Sequence, residues 1–420
     1  MRRRTFLASL PTTALFSQTA PAGMNIAAVE IWRMEGHRET VTGINRQHQV
    51  QPLHIYEEHR PKPYRDPGIG EKRTVPTQAL YIKIRAESGL EGLYGPIDAE
   101  GAVVVDRQLA GFLKGKNGLA VETLWDQMYR SNRHSRSSHF MIGISAVDNA
   151  LWDLRGRYYK TPVYRLLGGP TRRKVEAYGS CLGYSAEPAA VRMRSADLFR
   201  KGFRRQKWFI PYGPGDGAEG LRKNVELTAT LRDTLGDGAE IMFDAFQGWQ
   251  LDYAIAWAKQ VEKYRPRWIE EAFPMERMES FVKLREATSV PVATGEHIYG
   301  RWEAQRFLDA GAITVCQADP EWCGGVSELV KICTIASAYD AQVIPHGHSL
   351  HTALHVVASQ SPMTCPLVEY LILKMDSYHH FEKNELRPVN GMIELPERPG
   401  FGIELDPAKV EKQTRVSFQA

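Results

Sequence analysis

The sequence predicts an α/β chain in which a closed parallel barrel follows a smaller α+β domain. Three observations carry this. From residue 176 onward short apolar runs alternate with helical patterns until eight strands have been passed, and three carboxylates end successive runs at equal spacing. The first 165 residues have another rhythm, of alternating strands and one long amphipathic helix. At 420 residues and 43% hydrophobic content the chain is long enough for more than one domain.

The N-terminus reads Met-Arg-Arg-Arg-Thr-Phe-Leu-Ala-Ser-Leu, an arginine pair before a moderately apolar run to Phe16. It resembles a twin-arginine export signal over residues 1–23, with a small-residue cleavage zone at Thr19–Gly23 and the periplasm as destination. A basic tail on a cytoplasmic protein is the alternative. Residues 26–34 and 78–86 alternate as strands do, and the polar, His- and Pro-rich segment 35–75 between them is too long for a mere connection. Apolar residues at 143, 147, 150, 151 and 154 mark a helix over 142–158. Residues 24–165 therefore read as an α+β capping domain.

Barrel strands are expected near 176–182, 204–210, 239–245, 266–271, 291–296, 313–319, 341–346 and 367–371, with helical patterns such as 250–263 and 325–339 between them. Strand–helix alternation of this length calls for a closed parallel barrel over residues 166–385 rather than an open sheet. The tail, 386–420, carries Asn390-Gly391 and Pro399-Gly400 and returns to turns and short strands that rejoin the first domain.

Composition excludes several classes. A net charge of +4 with no long internal basic run argues against a nucleic-acid partner. The five cysteines are scattered with no Cys-x-x-Cys, so they read as buried thiols rather than a zinc knuckle or a disulfide framework. No internal apolar stretch has the length of a membrane span.

Asp244, Glu270 and Glu296 end three successive strands, and the steps from 244 to 270 and from 270 to 296 are both 26 residues. One βα unit has about that length, and a barrel gathers its strand ends at the active face. Three such acids make a hard-cation site suited to Mg²⁺. Glu271 rivals Glu270, since only one of two adjacent strand residues points inward; equal spacing favours Glu270. Further on, Asp319 and His346 end the next two strands and Glu369 lies in the last. An Asp that holds one imidazole nitrogen makes the other a competent base. Two rival readings compete: zinc on His346, His348, His351 and His355, and a dinucleotide loop at Gly215-Asp-Gly217-Ala-Glu-Gly220. The second leaves the acids and His346 unexplained.

These residues, with Asn149-Ala-Leu-Trp-Asp-Leu, Pro162-Val-Tyr-Arg-Leu-Leu-Gly-Gly and Pro399-Gly-Phe-Gly-Ile-Glu-Leu, give the chain a family likeness. It resembles the enolase superfamily in its mandelate racemase-like branch. Trp268-Ile-Glu-Glu, Gly295-Glu-His297, Gln317-Ala-Asp319, Trp322-Cys-Gly-Gly325 and Pro345-His-Gly347 are similar to the L-rhamnonate dehydratase group of acid-sugar dehydratases. The 35–75 and 347–368 regions depart from that group. The resemblance implies a (β/α)7β modified TIM barrel and Mg²⁺ on Asp244, Glu270 and Glu296. It implies that His346, oriented by Asp319, removes the C2 proton of a sugar acid. The resulting enediolate would be steadied by a protonated Glu369 or by Lys207, and loss of the 3-hydroxyl would give a 2-keto-3-deoxy acid. Many relatives carry Lys-x-Lys on the second barrel strand, whereas this chain has Arg205-Gln-Lys207. One lysine suits dehydration over two-base racemisation and leaves Lys207 to neutralise a substrate carboxylate. His54, Arg65 and His297 are the expected substrate contacts. The resemblance further implies a homo-oligomer, dimer or octamer. A racemase, epimerase or cycloisomerase on the same scaffold, and a non-catalytic sugar-acid binder, remain as alternatives.

Overall fold

The computed structural model describes residues 21–41, 49–61 and 72–418. Residues 1–20 of the proposed export signal, and Arg65, lie outside the described residues. Strands β1 (Ile26–Val41), β2 (Lys72–Ala86) and β3 (Glu91–Tyr94) form an antiparallel meander. Val29, Ile31, Ile82 and Ile84 bury one apolar face. The first two strands are longer than the sequence pattern suggests, running to Val41 and from Lys72 rather than stopping at 34 and starting at 78. Their added pairs, from Glu35 opposite Gln78 to Val41 opposite Lys72, are mostly polar. Without an apolar face that half of the hairpin carries no alternation to read, and the backbone ladder defines it.

The connection that remains is anchored on the barrel. Two short 3-10 turns, Pro52–Ile55 and Glu57–His59, lie in it. The amide of buried Val50 donates to the Ile210 carbonyl at 2.8 Å. A side chain at Gly213 or Gly248 would collide with Val50, so these two glycines let the segment lie against the barrel.

Eight parallel strands follow: β4 (Lys174–Ser180), β5 (Arg205–Phe209), β6 (Glu240–Asp244), β7 (Trp268–Glu270), β8 (Val292–Thr294), β9 (Val315–Cys316), β10 (Gln342–Val343) and β11 (Leu367–Leu371). They neighbour one another in chain order, and β11 pairs back onto β4. At the β10–β11 seam the Val343 amide donates to the Thr364 carbonyl at 2.8 Å. Seven helices, the first Pro188–Arg200 and the last Leu350–Ser359, alternate with the strands. The result is a (β/α)7β modified TIM barrel. Its interior is plugged by Tyr178, Met242, Trp268, Ala293, Val315, Ile344 and Leu367, one from or beside each strand but β5. In the tail, β12 (Met392–Glu394) runs antiparallel to β4 of the barrel, and β13 (Lys412–Val416) runs antiparallel to β1 of the capping sheet.

One helix joins the two layers. Ser138–Tyr158 is buried along most of its length, and its polar residues hold the loop after β9. Ser145 Oγ accepts the Gly324 amide at 2.8 Å, Asn149 Oδ1 the Val326 amide at 3.1 Å, and Asp148 the Ser327 amide and hydroxyl at 2.9 and 2.7 Å. Asp153, one turn on, accepts the Leu93 amide at 2.8 Å, the Phe401 amide at 2.9 Å and Arg157 Nε at 2.5 Å. A buried carboxylate with three donors ties the helix to β3 and to the tail at once. Gly400 sits in the left-handed region at φ +69°, and a Cβ there would overlap the Asp153 carboxylate. Gly400→Ala is expected to lower folding stability by about 2 to 4 kcal/mol, through strain and the lost carboxylate contacts. Chemical denaturation checks this, and an unchanged midpoint would contradict it.

Candidate active site

Six of the seven plug residues are followed, two positions on, by an inward polar side chain, because side chains recur on one face with a period of two; after Ala293 that position is Gly295 and the next residue, Glu296, supplies the carboxylate. Tyr178 is followed by Ser180, Met242 by Asp244, Trp268 by Glu270, Val315 by Gln317, Ile344 by His346 and Leu367 by Glu369. Lys207 stands at that level on β5. The apolar layer thus floors a polar chamber at the C-terminal mouth of the barrel.

Asp244, Glu270 and Glu296 each offer an oxygen within 4.8 Å of the others' and all three are buried. Lys207, with no exposed surface, lies among them: its Nζ is 3.2 Å from Asp244, 2.5 Å from Glu270 and 2.8 Å from Glu369. Gln317 Nε2 and Trp268 Nε1 donate to the second oxygen of Glu270 at 2.6 and 3.0 Å. Burial, outweighing Lys207, raises the carboxyls of Asp244 and Glu270, the latter to about 8; burial and Glu271 raise Glu296 well above its usual range. One ammonium does not balance this set, and its donors are oxygens. The set fits a hard divalent cation such as Mg²⁺.

Glu270 and Glu271 part at the strand end. Glu271 is left-handed at φ +46°, which turns its carboxylate toward Gln247 Nε2 at 3.1 Å and His297 Nδ1 at 2.9 Å. Phe246 and Gln247, after β6, are left-handed too. This strained rim forms a second group, Glu271, Glu296 and His297, that shares Glu296 with the first. Its imidazole nitrogen suits Mg²⁺ less well than the all-oxygen set.

Across the chamber His346 Nδ1 lies 2.7 Å from Asp319 Oδ2, while Nε2 faces Glu296 Oε2 at 3.5 Å. Burial would lower the imidazole, but Glu296, Asp319 and Glu369 overcome it and raise His346 to about 9. Trp322 lies over the ring, with centroids 5.2 Å apart and planes at 27°, and is 5.5 Å from the His297 ring.

Two expected roles change. A protonated Glu369 does not hold: burial raises its carboxyl, yet Lys207 and His346 bring it down to about 2, so it is ionised. The Gly347 amide also donates to it at 2.9 Å. Lys207 is not available to a substrate carboxylate, because three protein carboxylates surround its ammonium. His54 lies in the 3-10 turn laid on the mouth near β5 and β6, with its carbonyl accepting Arg60 Nε at 2.9 Å. His297 is held by Glu271 and Gln247 at the rim, a little over one-third exposed.

The histidines of the zinc reading disperse. His346 goes to Asp319, His348 to Asp98, His351 to Glu382, and His355 accepts the Tyr164 amide. A buried group of His351, His379 and Glu382 remains, but its N···O contacts of 2.8 Å are those of a hydrogen-bonded triad. Sequence reasoning missed Gln247, Asp98, Lys374 and Tyr378, whose spacing signals nothing. All five cysteines are buried and none forms a disulfide, and no described helix is long and apolar enough to cross a membrane.

Family comparison matches residues 190–409 to the enolase C-terminal domain-like family, and 58–168 to the mandelate racemase / muconate lactonizing enzyme N-terminal domain. The chain belongs to the enolase superfamily. Among superfamily members, it is 32% identical over 338 residues to an L-rhamnonate dehydratase of Saccharopolyspora erythraea, covering 78% of this chain and 83% of that one. Rhamnonate dehydratase from Gibberella zeae complexed with Mg is similar in structure, with TM-score 0.79, 26% identity, and 95% and 98% of the two chains covered. The 3,6-anhydro-D-galactonate cycloisomerase from Zobellia galactanivorans gives TM-score 0.73 at 26% identity, with 92% and 98% covered.

The raised Glu270 carboxyl gives a pH signature. A carboxyl that holds its proton more tightly when folded contributes stability below its unfolded value near 4.5, lost as pH rises through about 8. The metal-free protein should therefore lose thermal stability between pH 5 and 8.5. Mg²⁺ should raise the melting temperature more at pH 8.5 than at 6, since binding displaces protons. Melting curves at both pH values check this; an equal Mg²⁺ effect would contradict it.

Proposed function

We propose that this enolase-superfamily protein is a divalent-cation-dependent dehydratase of an aldonate-type sugar acid, and that it acts by removing the C2 proton. The observation that carries the reading is the His346–Asp319 pair, whose Nε2 faces the acid triad in a buried chamber, 3.5 Å from Glu296 Oε2. A cation held by Asp244, Glu270 and Glu296 would draw electron density from a substrate carboxylate and acidify the neighbouring C–H.

With Glu296 neutralised by a bound cation, His346 would return toward its neutral form, in which Asp319 fixes the ring proton on Nδ1 and Nε2 presents its lone pair to the chamber. Negative charge on Asp319 and Glu369 favours the imidazolium once the proton has moved. The protonated ring then stands on the face where a departing 3-hydroxyl needs an acid, so one residue serves both steps. Lys207 is held charged well beyond its usual range by Glu270 and Glu369 against burial, and so offers no second base. That supports dehydration over two-base racemisation. The similarity to rhamnonate dehydratases supports an aldonate as the substrate class. A cycloisomerisation begun by the same proton removal is the second reading, favoured by the likeness to the 3,6-anhydro-D-galactonate enzyme. Export through the arginine pair at the N-terminus belongs to the same proposal.

Proton NMR in D₂O with Mg²⁺ and a panel of aldonic and aldaric acids, L-rhamnonate among them, tests the reading. New 3-deoxy methylene signals are expected for an aldonate. Exchange at C2 without elimination would reassign the reaction, and no change with any acid would contradict it. His346→Asn should slow the C2 step by about 10² to 10⁴ while ligand binding persists; unchanged turnover would remove His346 from the mechanism.

A further inference from the structure

A second polar chain runs beside His346 and takes no direct part in the proposed reaction. Lys374 lies in the short helix Ile372–Tyr378 that follows β11. Its Nζ is 2.6 Å from His348 Nδ1. Burial lowers the Lys374 ammonium from its usual range, while Glu321, Asp319 and Asp98 hold it up. As an ammonium it has donors and no acceptor, so Nδ1 accepts and the ring proton sits on Nε2. That nitrogen is 3.0 Å from Asp98 Oδ1 and 2.5 Å from the Tyr378 hydroxyl. The other Asp98 oxygen accepts Trp322 Nε1 at 2.7 Å, and Trp322 is the ring that covers His346.

We propose that Lys374 is a positioning residue that acts through His348 and Asp98 to hold Trp322 against His346. The inference rests on His346 being the base. Three parts of the chain meet in the relay: Asp98 from the cap, His348 and Trp322 from barrel loops, and Lys374 from the helix after the last strand. Reversing any tautomer breaks it, because a proton on Nδ1 would oppose the ammonium and leave Asp98 without its donor. Burial would raise the Asp98 carboxyl, yet His348, Trp322 and Lys374 bring it to about 2, so the acceptor stays ionised. Other groups facing His348 leave the order unchanged. Glu321 Oε2 is 3.6 Å from Nε2, and its other oxygen takes the Tyr94 hydroxyl at 2.8 Å. With the indole fixed at one edge by Asp98, its face restricts rotation of the His346 ring about the Asp319 bond. A chamber closed on that side keeps Nε2 aimed at the triad, a placement on which proton transfer depends steeply.

The test needs no substrate. The chain has nine tryptophans, so ¹⁵N-indole labelling gives a sparse spectrum in which Trp322→Phe identifies the Trp322 resonance. Lys374→Met is expected to move that resonance and raise its solvent exchange about tenfold or more, leaving the other indoles in place. Lys374→Arg, which keeps a donor for His348, should return it toward its original position. Asp98→Ala removes the indole's own acceptor and marks where a released Trp322 resonates. Lys374→Ala should reproduce the Lys374→Met shift and covers the case in which Lys374→Met does not fold. An unmoved Trp322 resonance in Lys374→Met, or in Lys374→Ala should the former not fold, overturns the relay. Loss of C2 exchange in His346→Asn with Trp322 unmoved in Lys374→Met would refute the relay alone. Retained exchange in His346→Asn would refute the base assignment.

Discussion

Asp244, Glu270 and Glu369 all press on the single ammonium of Lys207, with no water-exposed surface on the lysine to share the charge. In a medium of low polarity such an arrangement is costly unless each charge is matched. Lys207 matches Glu369 well enough to keep it ionised, and what remains is an excess of carboxylate facing Glu296. Burial first, and that excess beside it, makes Asp244, Glu270 and Glu296 hold protons tightly, and the same excess suits the set to a divalent cation. Through Glu296 it also bears on His346, whose imidazole is drawn upward, against burial, by Glu296, Asp319 and Glu369. Neutralising Glu296 would therefore do two things at once, balancing the chamber and returning His346 toward a neutral base.

The barrel makes this crowding possible. Seven apolar side chains plug its interior, and the period of two along a strand places the next inward residue of nearly every strand in one ring above them. Charged groups that no isolated strand would bring together are thus held by a rigid floor. The cap supplies the remaining wall. Helix Ser138–Tyr158 clamps the loop after β9 through Ser145, Asp148 and Asn149, and that loop carries Trp322 to the base. The residues 49–61 approach from the opposite side, pinned at Val50. Local stability of the cap and the geometry of proton transfer are consequently linked through a few hydrogen bonds.

Much of this was legible in the sequence because barrel strands are buried on both faces and end in polar residues, a pattern that survives without context. The equal spacing of Asp244, Glu270 and Glu296 marks the repeat, and the pairing of Asp319 with His346 follows from their adjacent strands. What was hidden had one of two causes. The polar half of the β1–β2 hairpin has no apolar face, so Glu35–Val41 reads as loop although it is ladder. Asp98, Gln247 and Lys374 come from separate elements and meet only through tertiary contacts, so no local spacing announces them. The resemblance offered Glu369, if protonated, or Lys207 as the group steadying the enediolate; their proximity to each other, invisible in one dimension, lowers the Glu369 carboxyl against burial. The choice between Glu270 and Glu271 became physical only with the left-handed turn at Glu271.

The most direct test of the charge balance at the barrel mouth is anomalous diffraction from crystals soaked in Mn²⁺, a hard cation that takes the same oxygen ligands. The account predicts one strong peak within bonding distance of Asp244, Glu270 and Glu296, on the side of the chamber opposite His346. A peak held instead by Glu271, Glu296 and His297, or no peak at the mouth of the barrel, would contradict it.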